Sequence, residues 1–279
     1  MEYLNHLIFK ISNKFFPREI TDYYVSRFMN IPMKIGGGKH PLFNDFSTLA
    51  KECTNYASEE AAQSFLKCYE EIKGVNERPI GSRERLLFSS LAAALMKHDQ
   101  LAILDFGGCY GNDYLAVRNF LGLERISQYI ICENSVLAEA FKRKIHEEKL
   151  MFVSDVAEIP STIKINFVYL SGTLQYLEKP QEALDRVLQL KPEYLFINRT
   201  PFWDKPHRLT KQLRPWTATK KKRWSYPCWI LNEQETTNFV KARGYSDYYF
   251  DNNYDKPYIT GFGFLQYKSY FFKHQNGKF

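Results

Sequence analysis

The stretch LAILDFGGCYG, residues 101–111, decides the fold. Leu101–Leu104 suit a strand buried on both faces, and the chain then meets Asp105 and three glycines, Gly107, Gly108 and Gly111. Two explanations compete. One is a tight turn. The other is a backbone that must approach a ligand closely, with the strand ending on a carboxylate and the next helix beginning beyond the glycines.

The flanking sequence favours the second. From residue 101 onward, short apolar runs alternate with helical patterns: QYIICE then SVLAEAFKRKIHEEK, LMFVSD, INFVYLSG then PQEALDRVLQL, then EYLFINRT. Repeated strand–helix units imply a parallel sheet covered by helices, in which ligands bind beyond the carboxyl ends of the strands. The tail, YSDYYFDNN and GFGFLQYKSYFFKH, reads as an antiparallel pair closing the sheet, joined by a loop with Pro257 and Gly261. Residues 1–80 read as a helical N-terminal extension, including DFSTLAKECTNYASEEAAQSFLKCYEEI, and residues 81–279 as the main domain. RERLLFSSLAAALMKH is a further helix within it. IPMKIGGGKHP reads as a plain loop, since it lacks P-loop spacing. Residues 201–231 interrupt the rhythm with four prolines and all four tryptophans, and read as a binding loop or lid. The helix that follows starts at Asn232, with Glu235 as a capping-box partner, and ends at Gly244.

Composition narrows the class. The 279 residues are 44% hydrophobic and 25% charged, as in an ordinary globular protein. The net charge of +7 fits a solvated Lys-rich surface or an anionic partner, and no nucleic-acid-binding signature occurs. Cys53, Cys68, Cys109, Cys132 and Cys228 are scattered, which implies reduced thiols and a cytoplasmic location. No apolar run is long enough for a transmembrane helix, and no signal-peptide pattern opens the chain. MEYLNHLIFKISNKFF reads as an amphipathic helix that packs on its own domain or rests on a membrane or partner. The six histidines show no metal-binding spacing, so no metal is expected.

Three acids end three successive strands: Asp105, Glu133 and Asp155. Glu133 suits two ribose hydroxyls, while Asp155 is otherwise a helix cap. A nicotinamide cofactor would need only the second acid. The turn D-x-G-G-C-x-G resembles the first signature of the class I S-adenosylmethionine (SAM)-dependent methyltransferases, with Cys109 in place of the middle glycine. SGTLQYLEKP (171–180), INRTPF (197–202) and YPCWILNEQE (226–235) follow in order. Together with LDFGG they resemble a bacterial methyltransferase family encoded among surface-polysaccharide genes.

That resemblance covers about residues 80–265. It implies a Rossmann-like α/β sheet, SAM as cofactor, and cofactor contacts from Asp105, Gly107, Gly108, Gly111, Glu133, Asp155, Val156 and Ser171. Asp155 would meet the adenine amine. The implied acceptor is a hydroxyl on a sugar, nucleotide-linked or within a surface glycan. His207 is the expected general base, because its ordinary pKa suits neutral pH. Tyr176 would face the methyl group or acceptor, and Arg199 a substrate phosphate or carboxylate. Trp203, Trp216, Trp224 and Trp229 divide between core packing and stacking on the acceptor, and TKKKRW (219–224) between solvation and an anionic group. Two rivals remain: a nucleotide-sugar or NAD-dependent enzyme, and a non-catalytic SAM-binding scaffold.

Overall fold

The structure, a computed structural model, describes residues 42–54, 57–75, 81–215, 223–251, 258–260 and 263–275. The expectations for residues 1–16, the GGGKH loop, Trp216, Lys220–Lys222, Pro257 and Gly261 lie outside those residues. The chain divides into two compact units.

The larger unit comprises residues 55–200, 235–254 and 268–279. Its elements run in chain order: β2 (Leu101–Phe106), α4 (Asn112–Leu121), β3 (Ile126–Cys132), α5 (Ser135–Lys144), β4 (Leu150–Val153), β5 (Phe167–Ser171), α6 (Pro180–Leu188) and β6 (Tyr194–Trp203). Two helices precede them in this unit, α2 (Glu59–Ile72) and α3 (Ser82–Leu95). The strand order is β4-β3-β2-β5-β6, and these neighbours are parallel. Strand β11 (Gly263–His274) pairs with β6, and β9 (Tyr245–Asp251) pairs antiparallel with β11. This is the expected Rossmann-like sheet with its closing antiparallel pair. The order reverses beside β2: the chain moves outward through β3 and β4, then returns to place β5 on the other side of β2. In open α/β sheets ligands bind beyond the carboxyl ends of the strands at such a reversal, which here is flanked by the loops that follow β2 and β5.

Local sequence explains the helix boundaries. Ser58 caps α2, its Oγ accepting from the Ala61 N–H at 3.2 Å, and Glu59 and Glu60 fill the first turn. Asn134 caps α5, and Lys142, Arg143 and Lys144 close its last turn. Pro180 opens α6 at a position where its missing N–H costs nothing. The core collects the apolar strands and the inner faces of these helices. Near its centre Phe271 is fully buried against the rings of Phe167, Tyr194, Phe196, Tyr248 and Tyr249.

The smaller unit comprises residues 1–54, 201–234 and 255–267. Residues 201–231, expected to be a binding loop, carry a β-hairpin instead. β7 (Arg208–Pro215) and β8 (Arg223–Asn232) pair antiparallel along their length, and β1 (Leu42–Phe43) pairs with β7. Helix α1 (Phe46–Lys51) also belongs to this unit, and Phe46 stacks on Trp229 with ring centroids 6.3 Å apart. Trp203 is buried with Ile230 and Tyr267, so it fills a core. The tail likewise holds a third strand, β10 (Tyr258–Thr260), paired with β11. Helix α7 (Glu233–Lys241) leads back to the sheet and stops at a turn closed by Gly244, at φ +87°. No helix among the described residues is long and apolar enough to cross a membrane.

Phe271→Ala should destabilise the protein by about 3–5 kcal/mol, because it empties the centre of the aromatic cluster. A urea titration followed by circular dichroism checks this, and the midpoint should fall with little change in slope.

Candidate active site

The turn after β2 is built by its glycines and by the buried carboxylate before them. Gly107 sits at φ +82° and donates its N–H to the Cys132 carbonyl at 2.8 Å. A Cβ on Gly107 would lie 2.5 Å from Thr173 Oγ1, so the loops after β2 and β5 touch where no side chain intervenes. A Cβ on Gly108 would lie 2.5 Å from the Asp105 carboxyl carbon. Gly111, at φ +87°, begins α4 without a side-chain cap, so the first-turn N–H groups of α4 have no side-chain acceptor from that residue.

Cys109 occupies the position where the signature this turn resembles has glycine. It adopts φ +51°, the left-handed conformation that glycine reaches without strain. Its thiol is pushed well above its ordinary pKa by burial first and by the nearby Glu133 charge second, so it stays protonated. None of the five cysteines forms a disulfide among the described residues.

Asp105 is 1% exposed, and Tyr129 donates to its Oδ2 at 2.9 Å. The carboxylate therefore lies beneath the turn and shapes it. Burial, followed by the Asp105 charge, raises the Tyr129 pKa well above the ordinary phenol value, so Tyr129 remains a donor. Glu133 ends β3 and is 7% exposed. Its Oε1 accepts from the Asn134 backbone N–H at 2.8 Å and from Asn134 Nδ2 at 2.9 Å. Burial raises its pKa, opposed by the bonds from Asn134 and by the Cys109 backbone N–H.

Asp155 takes the role of a cap. Its Oδ1 accepts from the Ala157 N–H at 2.9 Å at the head of a 3-10 turn, Val156–Glu158, and Arg186 pairs with its other oxygen. Arg186 chiefly holds its carboxyl below the usual range. The bonds from Ala157 and Arg186 leave further acceptor positions on this half-exposed carboxylate, and its pair with Arg186 is weak. Val156 is buried directly after it.

Ser171 ends β5 opposite Asn198 of β6. Beyond it stand Gly172, at φ +64°, and a 3-10 turn, Leu174–Tyr176. Tyr176 is half-buried on that turn. Arg199 does not end its strand as expected: β6 continues to Trp203, and Arg199 breaks it with φ +54°. The sequence reading did not single out Thr173, Gln175 or Asn198. Thr173 touches Gly107, Gln175 Nε2 donates to the Arg199 carbonyl at 3.2 Å, and Asn198 bonds Tyr169 and Ser269. The signal was present in SGTLQ, where a small-residue loop follows a buried strand.

His207 belongs to the smaller unit, and its geometry argues against the expected role as base. The Asn232 backbone N–H donates to its Nδ1 at 2.9 Å. A backbone N–H can only donate, so in the neutral ring the proton sits on Nε2. Nε2 is then a donor with no lone pair to offer.

No family model matches the chain, and no curated protein matches it. Several solved structures align over most of their length. The 1,6-didemethyltoxoflavin-N1-methyltransferase of Burkholderia thailandensis, solved with S-adenosylhomocysteine, is 14% identical; the alignment covers 88% of this chain and 94% of that one, with a TM-score of 0.43. The magnesium protoporphyrin IX methyltransferase of Synechocystis PCC 6803, also with S-adenosylhomocysteine, is 11% identical over 82% and 100% of the two chains, with a TM-score of 0.47. The [4+2]-cyclase SpnF is 11% identical over 85% and 98%, with a TM-score of 0.48. The chemistry of this chain is read from its own residues.

Gly107→Ala should abolish S-adenosylhomocysteine binding in calorimetry, through both its φ and the Thr173 contact. Adding Thr173→Ala should restore part of the affinity, leaving the backbone strain as the remainder. Glu133→Gln separates binding from folding. Burial raises the Glu133 pKa in the folded chain, so the charged form costs stability at pH above that value. The variant should therefore melt at or above the wild-type temperature at pH 7, while its S-adenosylhomocysteine affinity falls by about 10–100-fold. If Glu133 accepts ribose hydroxyls as the sequence reading expects, the carboxylate is the binding form, so wild-type affinity should fall as pH drops through the raised pKa, and Glu133→Gln should flatten that dependence.

Proposed function

We propose that the chain is a SAM-dependent methyltransferase whose cofactor lies in the crevice between the loops after β2 and β5. One observation carries the reading: a turn stripped of side chains and held over a buried carboxylate, beside a second buried carboxylate at the end of the neighbouring strand. The residues fit the group. Gly107 and Gly108 carry no side chain because Thr173 and Asp105 fill the space a Cβ would take, so the turn presents bare backbone, and Gly111 offers no side-chain cap at the start of α4. Two of the acceptor positions of Glu133 are taken by Asn134, which leaves others for ribose hydroxyls. Asp155 and Val156 are assigned to adenine, and Ser171 to the β5 side of the cofactor.

When bound, SAM supplies a methyl group on a sulfonium, already electrophilic enough to be transferred without a metal. The chain's part is to align an acceptor, exclude water and accept a proton from it. Tyr176 and Arg199 are assigned to the acceptor side, Arg199 for a phosphate or carboxylate on the acceptor. The acceptor is read as a sugar hydroxyl, nucleotide-linked or within a surface glycan, solely because SGTLQYLEKP, INRTPF and YPCWILNEQE resemble a methyltransferase family encoded among surface-polysaccharide genes.

S-adenosylhomocysteine at about 100 times a micromolar Kd should raise the melting temperature by roughly 5–10 °C, and NAD should not. A shift with NAD alone would favour the dehydrogenase-like alternative. Incubation with methyl-labelled SAM and a panel of sugar nucleotides should transfer label to a sugar hydroxyl. Tyr176→Phe and Arg199→Lys should lower that transfer with S-adenosylhomocysteine affinity unchanged. Binding without transfer to any acceptor, including cell-extract fractions, would favour the scaffold alternative.

A further inference from the structure

The amino end of the parallel sheet, opposite the loops after β2 and β5, gathers several cationic side chains around one carboxylate. Lys97 and His98 lie between α3 and β2, Glu193 precedes β6, and Lys273 stands near the end of β11. The His274 N–H donates to the Glu193 carbonyl at 2.9 Å, which ties the end of β11 to the start of β6. His98 Nε2 meets Glu193 Oε2 at 2.8 Å. Lys273 Nζ lies 3.9 Å from Glu193 Oε1, and Lys97 Nζ lies 4.0 Å from the same oxygen. Both distances are too long for a hydrogen bond, and Oε1 is buried with no hydrogen-bond partner among the described residues. Two amines therefore share one carboxylate oxygen that neither binds closely.

The surroundings distinguish the two lysines. The Lys97 side chain is 48% exposed and that of Lys273 22%. Lys273 Nζ lies 5.6 Å from the Tyr194 ring centroid and 6.0 Å from that of Tyr248. His274, next in the strand, turns its ring to Tyr245 instead. The groups around Lys273 Nζ are thus Lys97, Glu193 with its partner His98, and two tyrosine rings. Burial and Glu193 hold the Tyr194 phenol above its ordinary pKa, so it adds no charge. Lys97 interacts directly with Lys273 and, with burial, lowers its pKa, while Glu193 opposes them. Two ammonium groups side by side repel, and the less exposed one gives up its proton more readily. A partly desolvated lysine beside another cation is an activated nucleophile. Lys179 is the contrast: it is 64% exposed, and Glu182 at 2.9 Å raises its pKa.

We propose that Lys273 is an acylation site for acyl phosphates, with Lys97 as the neighbouring cation that activates it and attracts the reagent's phosphate. The Nζ lone pair of the neutral amine forms a bond to the acyl carbon. The bond from that carbon to the phosphate oxygen breaks, and the phosphate leaves with the electron pair. The surplus proton on the nitrogen passes to the departing phosphate, and an amide remains. Acylation removes one cation from the cluster and leaves Glu193 to Lys97 and His98. The site lies at the opposite end of the strands from the loops assigned to SAM, and the inference does not rest on that assignment.

Acetyl phosphate and peptide-resolved mass spectrometry test it on the full chain. Initial acetylation rates of Lys273 and Lys179 are compared from pH 6.5 to about 10. Accessibility alone would rank Lys179 first. Lys273 should instead react at least about threefold faster near pH 7.5, and its rate should level off at lower pH than that of Lys179. Lys97→Met should remove the excess and move the Lys273 profile to higher pH, whereas Lys97→Arg, which keeps the cation, should preserve both. A Lys273 rate no greater than that of Lys179, coincident pH profiles, or an excess that survives Lys97→Met would each overturn the inference.

Discussion

The buried carboxylate of Asp105 is the constraint on which the site depends. A charge at 1% exposure survives only with donors and dipoles around it, and Tyr129 supplies one from the adjacent strand. The same carboxylate stands where a side chain on Gly108 would be, so it dictates that the turn pass over it as bare backbone. Gly107 then folds back onto the Cys132 carbonyl, and α4 starts from Gly111. Strand end, turn and helix start are a single arrangement, held from below by an acid that is too buried to meet a ligand directly.

Much of this was legible because parallel strands buried on both faces leave continuous apolar runs, and β2 and β5 are buried along almost their whole length. An acid followed by glycines marks a strand-to-helix turn by the same logic. The hairpin of β7 and β8 was not legible. Pro215 and Pro227 break its pattern, and proline reads as a loop signal although a strand pair away from a sheet's centre tolerates it. Much of the aromatic content of that segment packs locally, Trp203 in a small core and Trp229 against Phe46.

Side-chain roles were less legible than positions. Spacing placed Asp155 at a strand end, but Arg186 arrives from α6, more than one element away, and no local pattern announces it. His207 has an ordinary loop context in sequence; its tautomer is set by a backbone N–H that the fold brings from Asn232. Gln175 hides in an apolar run and shows its character only when the Arg199 carbonyl fixes its amide. In each case the deciding partner is distant in sequence, so residue type alone could not settle the role.

A crystal structure with S-adenosylhomocysteine tests the central claim most directly. The account predicts the ligand against the backbone of Gly107 and Gly108, its ribose hydroxyls within hydrogen-bond distance of the Glu133 carboxylate, and Asp105 still beneath the turn and bonded to Tyr129. A ligand bound elsewhere, with Glu133 bonded only within the protein and nothing lying over the glycines, would contradict it.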